Sequence, residues 1–197
     1  MKKGIFGIML FLALGATTQL SAQNITGGIK ADANLSNFIV SDMPSTSSDM
    51  GFGATLGGFV KFDLGNHFAI QPELLFHYQN STTKVATVKN DFQYFGAEIP
   101  VYAMGQWYTN CGDRFFVGVG PYVGFGFDAR YTNGDVNLYD TDVLQPWDFG
   151  AKATIGYEFA GGLQISAGYK IGFINAVDKG TGTMLPETIS LGLGYRF

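Results

Sequence analysis

The sequence predicts an all-β fold, an eight-stranded antiparallel up-and-down β-barrel of the outer-membrane, transmembrane type. Three observations carry that expectation: an excess of glycine and aromatic residues with a deficit of charge, period-2 alternation in eight segments, and the parity of glycine within those segments. The 197 residues include 28 Gly, 18 Phe, 10 Tyr and 2 Trp, with only 14% charged, where soluble domains carry about 25% charged and about 7% Gly. A helical bundle is excluded by so much glycine, since each costs a helix roughly 1 kcal/mol relative to Ala. Disorder is excluded by the 46% apolar content, because disordered chains are apolar-poor and charge-rich.

Residues 1–22 read as a secretory signal peptide. Lys2 and Lys3 form a basic start, Gly4 to Ala16 an apolar stretch and Leu20-Ser21-Ala22 a small-residue cleavage site, the three-part layout of such segments. The apolar run is too short to span a bilayer, which takes about 20 residues. The mature domain is therefore expected to run from Gln23 to Phe197. Removal of Lys2 and Lys3 leaves 10 basic against 16 acidic residues, a net charge of 10 − 16 = −6. Such an acidic exported domain is a poor partner for nucleic acid.

Eight segments then alternate. Ile29, Ala31, Ala33 and Leu35 oppose Lys30, Asp32, Asn34 and Ser36. Phe52 to Phe62 follows with Gly53, Thr55, Gly57 and Lys61 on its polar face, and Phe68 to Tyr78 with Glu73 and His77 on its own. Phe92 to Met104 is the least regular, with Ile99, Val101 and Ala103 opposing Glu98, Pro100 and Tyr102. Phe115 to Phe127 sets Val117, Val119, Val123 and Phe125 against Phe116, Gly118, Gly120, Tyr122 and Gly124. Asp148 to Phe159 sets Phe149, Ile155 and Tyr157 against Asp148, Lys152 and Glu158, and Leu163 to Phe173 opposes Ile165 and Tyr169 to Ser166 and Lys170. Thr188 to Phe197 closes the series, with Ile189, Leu191, Leu193, Tyr195 and Phe197 opposite Gly192, Gly194 and Arg196.

Alternation alone fits a soluble sandwich equally well. Glycine parity separates the two, because most strand glycines share the face that carries the charges. Glycine weakens a strand and has no use on a wetted outer surface, whereas the narrow interior of an eight-stranded barrel needs small residues beside a few long ones. The opposite face holds too many rings to fit inside, so it must meet lipid. The inward charges expected from parity are Asp32, Glu73, Glu98, Asp148 and Glu158 against Lys30, Lys61, Lys152, Lys170 and Arg196, five of each sign. Charges in a low-dielectric interior need partners, so a balanced set suggests a salt-bridged plug; the same residues along an ion path would make a narrow channel.

Connections alternate in length. Asp63 to Asn66, Gly105 to Asp113 and Ala160 to Gly162 are short, whereas Ile39 to Met50, Asn80 to Asp91, Asp128 to Pro146 and Asn175 to Glu187 are long and polar. Short periplasmic turns and long outer loops are the habit of outer-membrane barrels. Phe62, Phe68, Trp107, Tyr157, Phe159, Tyr195 and Phe197 at one level, and Phe52, Tyr78, Phe127, Trp147 and Phe173 at the other, match two aromatic girdles.

The chain resembles the PorT-like outer-membrane β-barrel family of Gram-negative bacteria. The resemblance is carried by Ile70-Gln71-Pro72-Glu73-Leu74-Leu75-Phe76, Glu98-Ile99-Pro100-Val101, Gly118-Val119-Gly120-Pro121-Tyr122-Val123-Gly124, Asp148-Phe149-Gly150 and Leu193-Gly194-Tyr195-Arg196-Phe197. It implies an outer-membrane location and a porin-like barrel fold more than a function; the expected role is structural or surface-interacting, or accessory to secretion. The last strand, through Tyr195 and Phe197, also resembles the signal read by the barrel-assembly machinery. Expected partners are outer-membrane lipid, that machinery, and surface or secretion partners reached through the long loops.

Chemistry is sparsely signalled. His77 is the candidate general base for an enzyme acting on lipid A or peptides at the outer rim, in reach of Asp91 or Asp148; its other reading is a polar rim residue in the interior network. His67 reads as a turn residue, and Cys111 as a solitary thiol in a turn. No G-x-S-x-G, H-E-x-x-H or phosphate-cradling motif is present, and no catalytic residue, cofactor or metal is assigned. The expectation is a non-enzymatic barrel with a plugged polar interior.

Overall fold

The computed structural model describes residues 25–41, 46–49, 51–85, 88–131, 146–174 and 183–197. The signal segment of residues 1–22 and most of the expected Asp128 to Pro146 and Asn175 to Glu187 connections lie outside them. The strands are β1 (Ile25–Ser41), β2 (Thr46–Asp49), β3 (Gly51–Asp63), β4 (Phe68–Val85), β5 (Val88–Tyr108), β6 (Arg114–Tyr131), β7 (Trp147–Glu158), β8 (Leu163–Gly172) and β9 (Thr183–Arg196). All pairings are antiparallel, and the ring β3-β1-β9-β8-β7-β6-β5-β4 closes on itself through β4 and β3. Strand β2 also pairs with β4, Asp49 opposite Thr82 where Gly53 lies opposite Gln79, so β2 and β3 form one stave with a one-residue shift. The barrel therefore has the eight staves the alternation predicts.

One circuit of the ladder fixes the geometry. Cross-strand partners run Ile25, Phe62, Ile70, Ala103, Val119, Ala153, Tyr169, Ile189 and back to Leu35 on β1, a displacement of ten residues. With a rise of about 3.3 Å and a strand spacing of about 4.7 Å, a stagger of ten over eight staves gives a tilt of about 41° and a radius of about 8 Å. Every residue of that circuit is apolar and faces away from the bore. Phe52, Phe68, Phe127, Phe149, Phe173 and Phe197 are likewise exposed, as rings facing lipid must be.

The ladders skip two pairs each between β3 and β4, β4 and β5, and β5 and β6, and each gap contains one proline: Pro72, Pro100 or Pro121. Proline has no N–H to give to a ladder, so the irregular segment of the sequence is an irregular wall. A bulge adds to it: Phe95 lies opposite Asp128 but Gly96 opposite Gly126, with Phe127 the extra residue on β6.

Five connections differ from the sequence expectation. Residues Gly105 to Tyr108 belong to β5, leaving a turn of 109–113 in which Gly112 takes φ 85° and donates its N–H to the Thr109 carbonyl at 3.1 Å. Strands also persist into the segments expected as long loops, notably Asn80–Val85 and Val88–Asp91, which pair from Asn80 opposite Gln93 to Val85 opposite Val88. Apolar alternation marks only the part of a strand that meets lipid; past that level hydrogen bonding continues with polar side chains, and the pattern disappears while the strand does not. Strands β4, β5 and β6 reach 18, 21 and 18 residues where β7 and β8 have 12 and 10. At the tilt above, 21 residues rise about 52 Å, twice the roughly 25 Å apolar band of such barrels, so the wall stands tall on one side of the loop end.

Candidate functional site

The bore is filled in tiers. Nearest the short turns, Glu158 accepts from Arg114 Nη2, from Arg196 Nε at 2.6 Å and from Gln164 Nε2 at 2.6 Å. Lys61 pairs with Asp63 at 3.2 Å, and Gln106 donates to Asp63 at 2.7 Å while accepting from Arg114 at 3.0 Å. Asp63 and Arg114 are thus inside the barrel, although neither is among the ten charges expected there and Asp63 is expected in a short connection. Both continue the parity of their strands one step past the apolar alternation, Asp63 beyond Lys61 and Arg114 before Phe116, and that step is the signal that identifies them. With them the described interior holds six acids and six bases, still balanced.

Above this tier lies an apolar layer of buried Ala69, Tyr102, Met104 and Phe116, with Phe59 also buried. The large side chains need room, and the facing glycines supply it: a Cβ on Gly156 would come within 2.9 Å of the Phe116 ring edge, and one on Gly118 would run into Met104 Sδ.

The next tier is again charged. Lys30 pairs with Glu73 at 3.3 Å and Asp32 at 3.6 Å, and Gln71 donates to Glu73 at 2.8 Å. Glu98 accepts from Lys152 and, at 3.3 Å, from Lys170, whose ammonium also lies 5.2 Å from the Tyr122 ring centre. Lys30 serves two carboxylates and Glu98 serves two ammoniums, so three charges of each sign cancel only as a whole. Asp148 stands apart from this tier and accepts from Tyr122 Oη at 2.6 Å.

The two arginine and lysine tiers bring together nine of the ten charged residues expected inside: Lys61, Glu158 and Arg196 below, Lys30, Asp32, Glu73, Glu98, Lys152 and Lys170 above. Tyr195 and Phe197, the expected assembly signal, lie on the outer face at the turn end with ring centres 6.4 Å apart.

Over the upper tier sits a small polar chamber of about 10 Å³, room for a single water. Its floor is Asp32, Glu98, Lys152 and Lys170, and its walls include Asn34, Thr55, His77, Gln79 and Ser190. Asn34 Nδ2 donates to Thr55 Oγ1 at 2.5 Å. His77 is 3% exposed and stacks on Tyr94 at 5.0 Å, yet neither ring nitrogen has a hydrogen-bond partner. It is therefore buried rather than at the rim, and it holds no carboxylate, which the general-base reading requires; the side chain of Asp91 lies outside the described residues. His67 sits in the 64–67 turn, its carbonyl accepting from Gln106 N at 2.8 Å, and Cys111 is exposed and free. Among the described residues no group of three or more His, Cys, Asp or Glu is placed to hold a metal ion.

A closed antiparallel barrel with a continuous apolar outer belt and a polar, charge-matched bore defines a transmembrane β-barrel of the outer-membrane type. The family is shown by a match over residues 19–178 to the model described as "Outer membrane protein beta-barrel domain": the chain belongs to that family, and its place is the outer membrane. Among solved structures it is similar to Neisserial surface protein A, at 16% identity and a TM-score of 0.52 over 87% of this chain and 97% of that one. It is similar also to the outer membrane protein OprG from Pseudomonas aeruginosa, at 13% identity and a TM-score of 0.53 over 88% of this chain and 94% of that one. At these identities the likeness concerns the fold. No curated protein is significantly similar in sequence.

Proposed function

We propose that this chain is a sealed, non-enzymatic barrel that serves as a surface-interaction scaffold. The observation that carries this reading is the filling of the bore: two tiers of ion pairs with the Phe59, Tyr102, Met104 and Phe116 layer between them. A conducting path would need water-lined continuity past that layer, and a rim enzyme would need an acid–base pair, whereas His77 has no carboxylate partner and Asp148 is engaged by Tyr122. What remains for the outside is the tall β4-β5-β6 wall and the loops it bears. The PorT-like resemblance supports one form of this role, an accessory part in secretion, with the leader removed near Ala22, Tyr195 and Phe197 engaging the barrel-assembly machinery, and lipid covering the apolar belt.

The test is conductance of the refolded protein in planar bilayers, with folding monitored by heat-modifiable gel mobility. Silent bilayers with a mobility-shifted, folded band support the sealed reading. Discrete conductance steps overturn it in favour of a narrow channel. Co-purification from intact outer membranes, compared with a variant whose β4-β5 hairpin is trimmed above Asn80 and Gln93, tests whether the projecting wall is what partners hold.

A further inference from the structure

We propose that the chamber above the upper charged tier is a binding site, open toward the loop end, for the hydroxyl-bearing end of a small uncharged molecule of the polyol or saccharide class. The inference rests on the sealed-barrel reading, because a chamber with a closed floor can retain what enters it.

The chemistry follows from which groups are already occupied. The charged groups of the floor have internal partners: Glu98 takes Lys152 and Lys170, and Asp32 takes Lys30. An ionic ligand would have to displace one of these from a site of low dielectric, where an unpaired charge costs several kcal/mol. The groups with capacity to spare are neutral. His77 is 3% exposed and lines the chamber with both nitrogens unpartnered. A neutral imidazole offers one donor and one acceptor, the complement of a hydroxyl, which is also one donor and an acceptor. Ser190 and Gln79 line the same space, and Asn34 retains its carbonyl oxygen after donating to Thr55. Buried polar groups are rarely left unsatisfied, so something fills this space.

Size and shape limit the occupant. Room for about one water means that a single hydroxyl enters while the carbon that bears it and the rest of the molecule point to the loop end. Gly96 lets His77 and Tyr94 lie against the β5 wall, since a Cβ there would stand 2.9 Å from His77 Nε2 and 2.8 Å from Tyr94 Oη. Below, the apolar layer stops further passage.

The chain has only two histidines, and His67 in the turn at the far end is an internal control. The experiment uses the refolded barrel in micelles with ¹⁵N-labelled histidine, titrated with glycerol, glucose, sodium chloride and sodium phosphate. A saturable movement of the His77 ring signals with glycerol or glucose, with His67 unmoved and both salts without saturable effect, is the expected result. Ser190→Val and Gln79→Leu should each weaken the midpoint at least threefold while leaving the folded gel mobility unchanged. A response that stays linear to molar polyol means the chamber holds water only, and saturation by chloride or phosphate makes it an ion site; either overturns the proposal. Conductance, measured separately on the same protein, reports on the sealed reading and moves independently of the His77 titration.

Discussion

Replacing Glu98 by Gln is the sharpest test of the tiered interior. The carboxylate is buried between Lys152 and Lys170, whose side chains are only 12% and 9% exposed. Gln keeps the shape and one acceptor but removes the charge, so the tier is left with three ammoniums against Asp32 and Glu73. Breaking a buried pair by deleting one partner costs about 3–5 kcal/mol, because the remaining charge is desolvated and uncompensated. The compensation is equally specific. Adding Lys170→Met restores two charges of each sign, Lys30 and Lys152 with Asp32 and Glu73, so Glu98→Gln with Lys170→Met should recover at least about 2 kcal/mol of the loss. The assay is reversible urea unfolding of the barrel in lipid vesicles, followed by the fluorescence of Trp107 and Trp147, both exposed on the outer face, and by gel mobility. A single variant within about 1 kcal/mol of the wild type, or a double variant no better than the single, would refute the account of a tier that balances only as a whole.

Three further outcomes follow from the same geometry. Val119→Lys, mid-strand on the outer face and 59% exposed, should cost about 2–4 kcal/mol in vesicle unfolding; a negligible loss would mean this face does not meet hydrocarbon. Gly156→Leu should lower the yield of the heat-modifiable folded band or destabilise by about 1–3 kcal/mol through overpacking against Phe116, and Phe116→Ala in the same chain should relieve only part of it, because the Ile165 carbonyl would also stand 2.6 Å from the added Cβ. Deleting Phe197, which projects 72% exposed from the last strand, should reduce the assembled fraction in the outer membrane while leaving refolding into micelles intact; loss of both together would mark a role in stability instead.

Much of the architecture was legible because a membrane barrel writes its constraints twice, once on each face. Lipid demands rings and aliphatics on the outer parity, and a bore of about 8 Å radius demands Gly beside a few long chains on the inner parity, so Leu191 and Gly192 or Phe149 and Gly150 announce their sides. Where one face falls silent the reading stops early. Asp63 and Arg114 sit at strand ends, next to the outward Phe62 and Phe115 but one step beyond the last inward residue of the alternation, so they look like turn residues. The Asn80–Val85 and Val88–Asp91 segments are polar on both faces, so a paired hairpin in them looks like a loop. Which charges meet is set by the stagger: Lys152 and Glu98 lie on β7 and β5, strands that are not neighbours, and no local pattern in the chain records the ten-residue displacement that brings them to one level.

The same stagger argues for where the function sits. An eight-staved barrel has too little bore to hold a passage and a packed interior at once, and this one spends the turn-side half on Phe59, Tyr102, Met104, Phe116 and two sets of ion pairs. The loop-side half carries Gly96, Gly124, Gly126 and Gly150 on its inner parity, with small polar residues such as Asn34, Ser36 and Thr55, and Tyr94, His77 and Tyr122 take the room that Gly96 and Gly150 leave. What stays open there is the small His77 chamber, at the same end as the strands that outrun the membrane. On the reading proposed above, specificity is expected at the loop end, on the β4-β5-β6 wall and in the His77 chamber beside it, with the turn-side half as the rigid base that holds both in place.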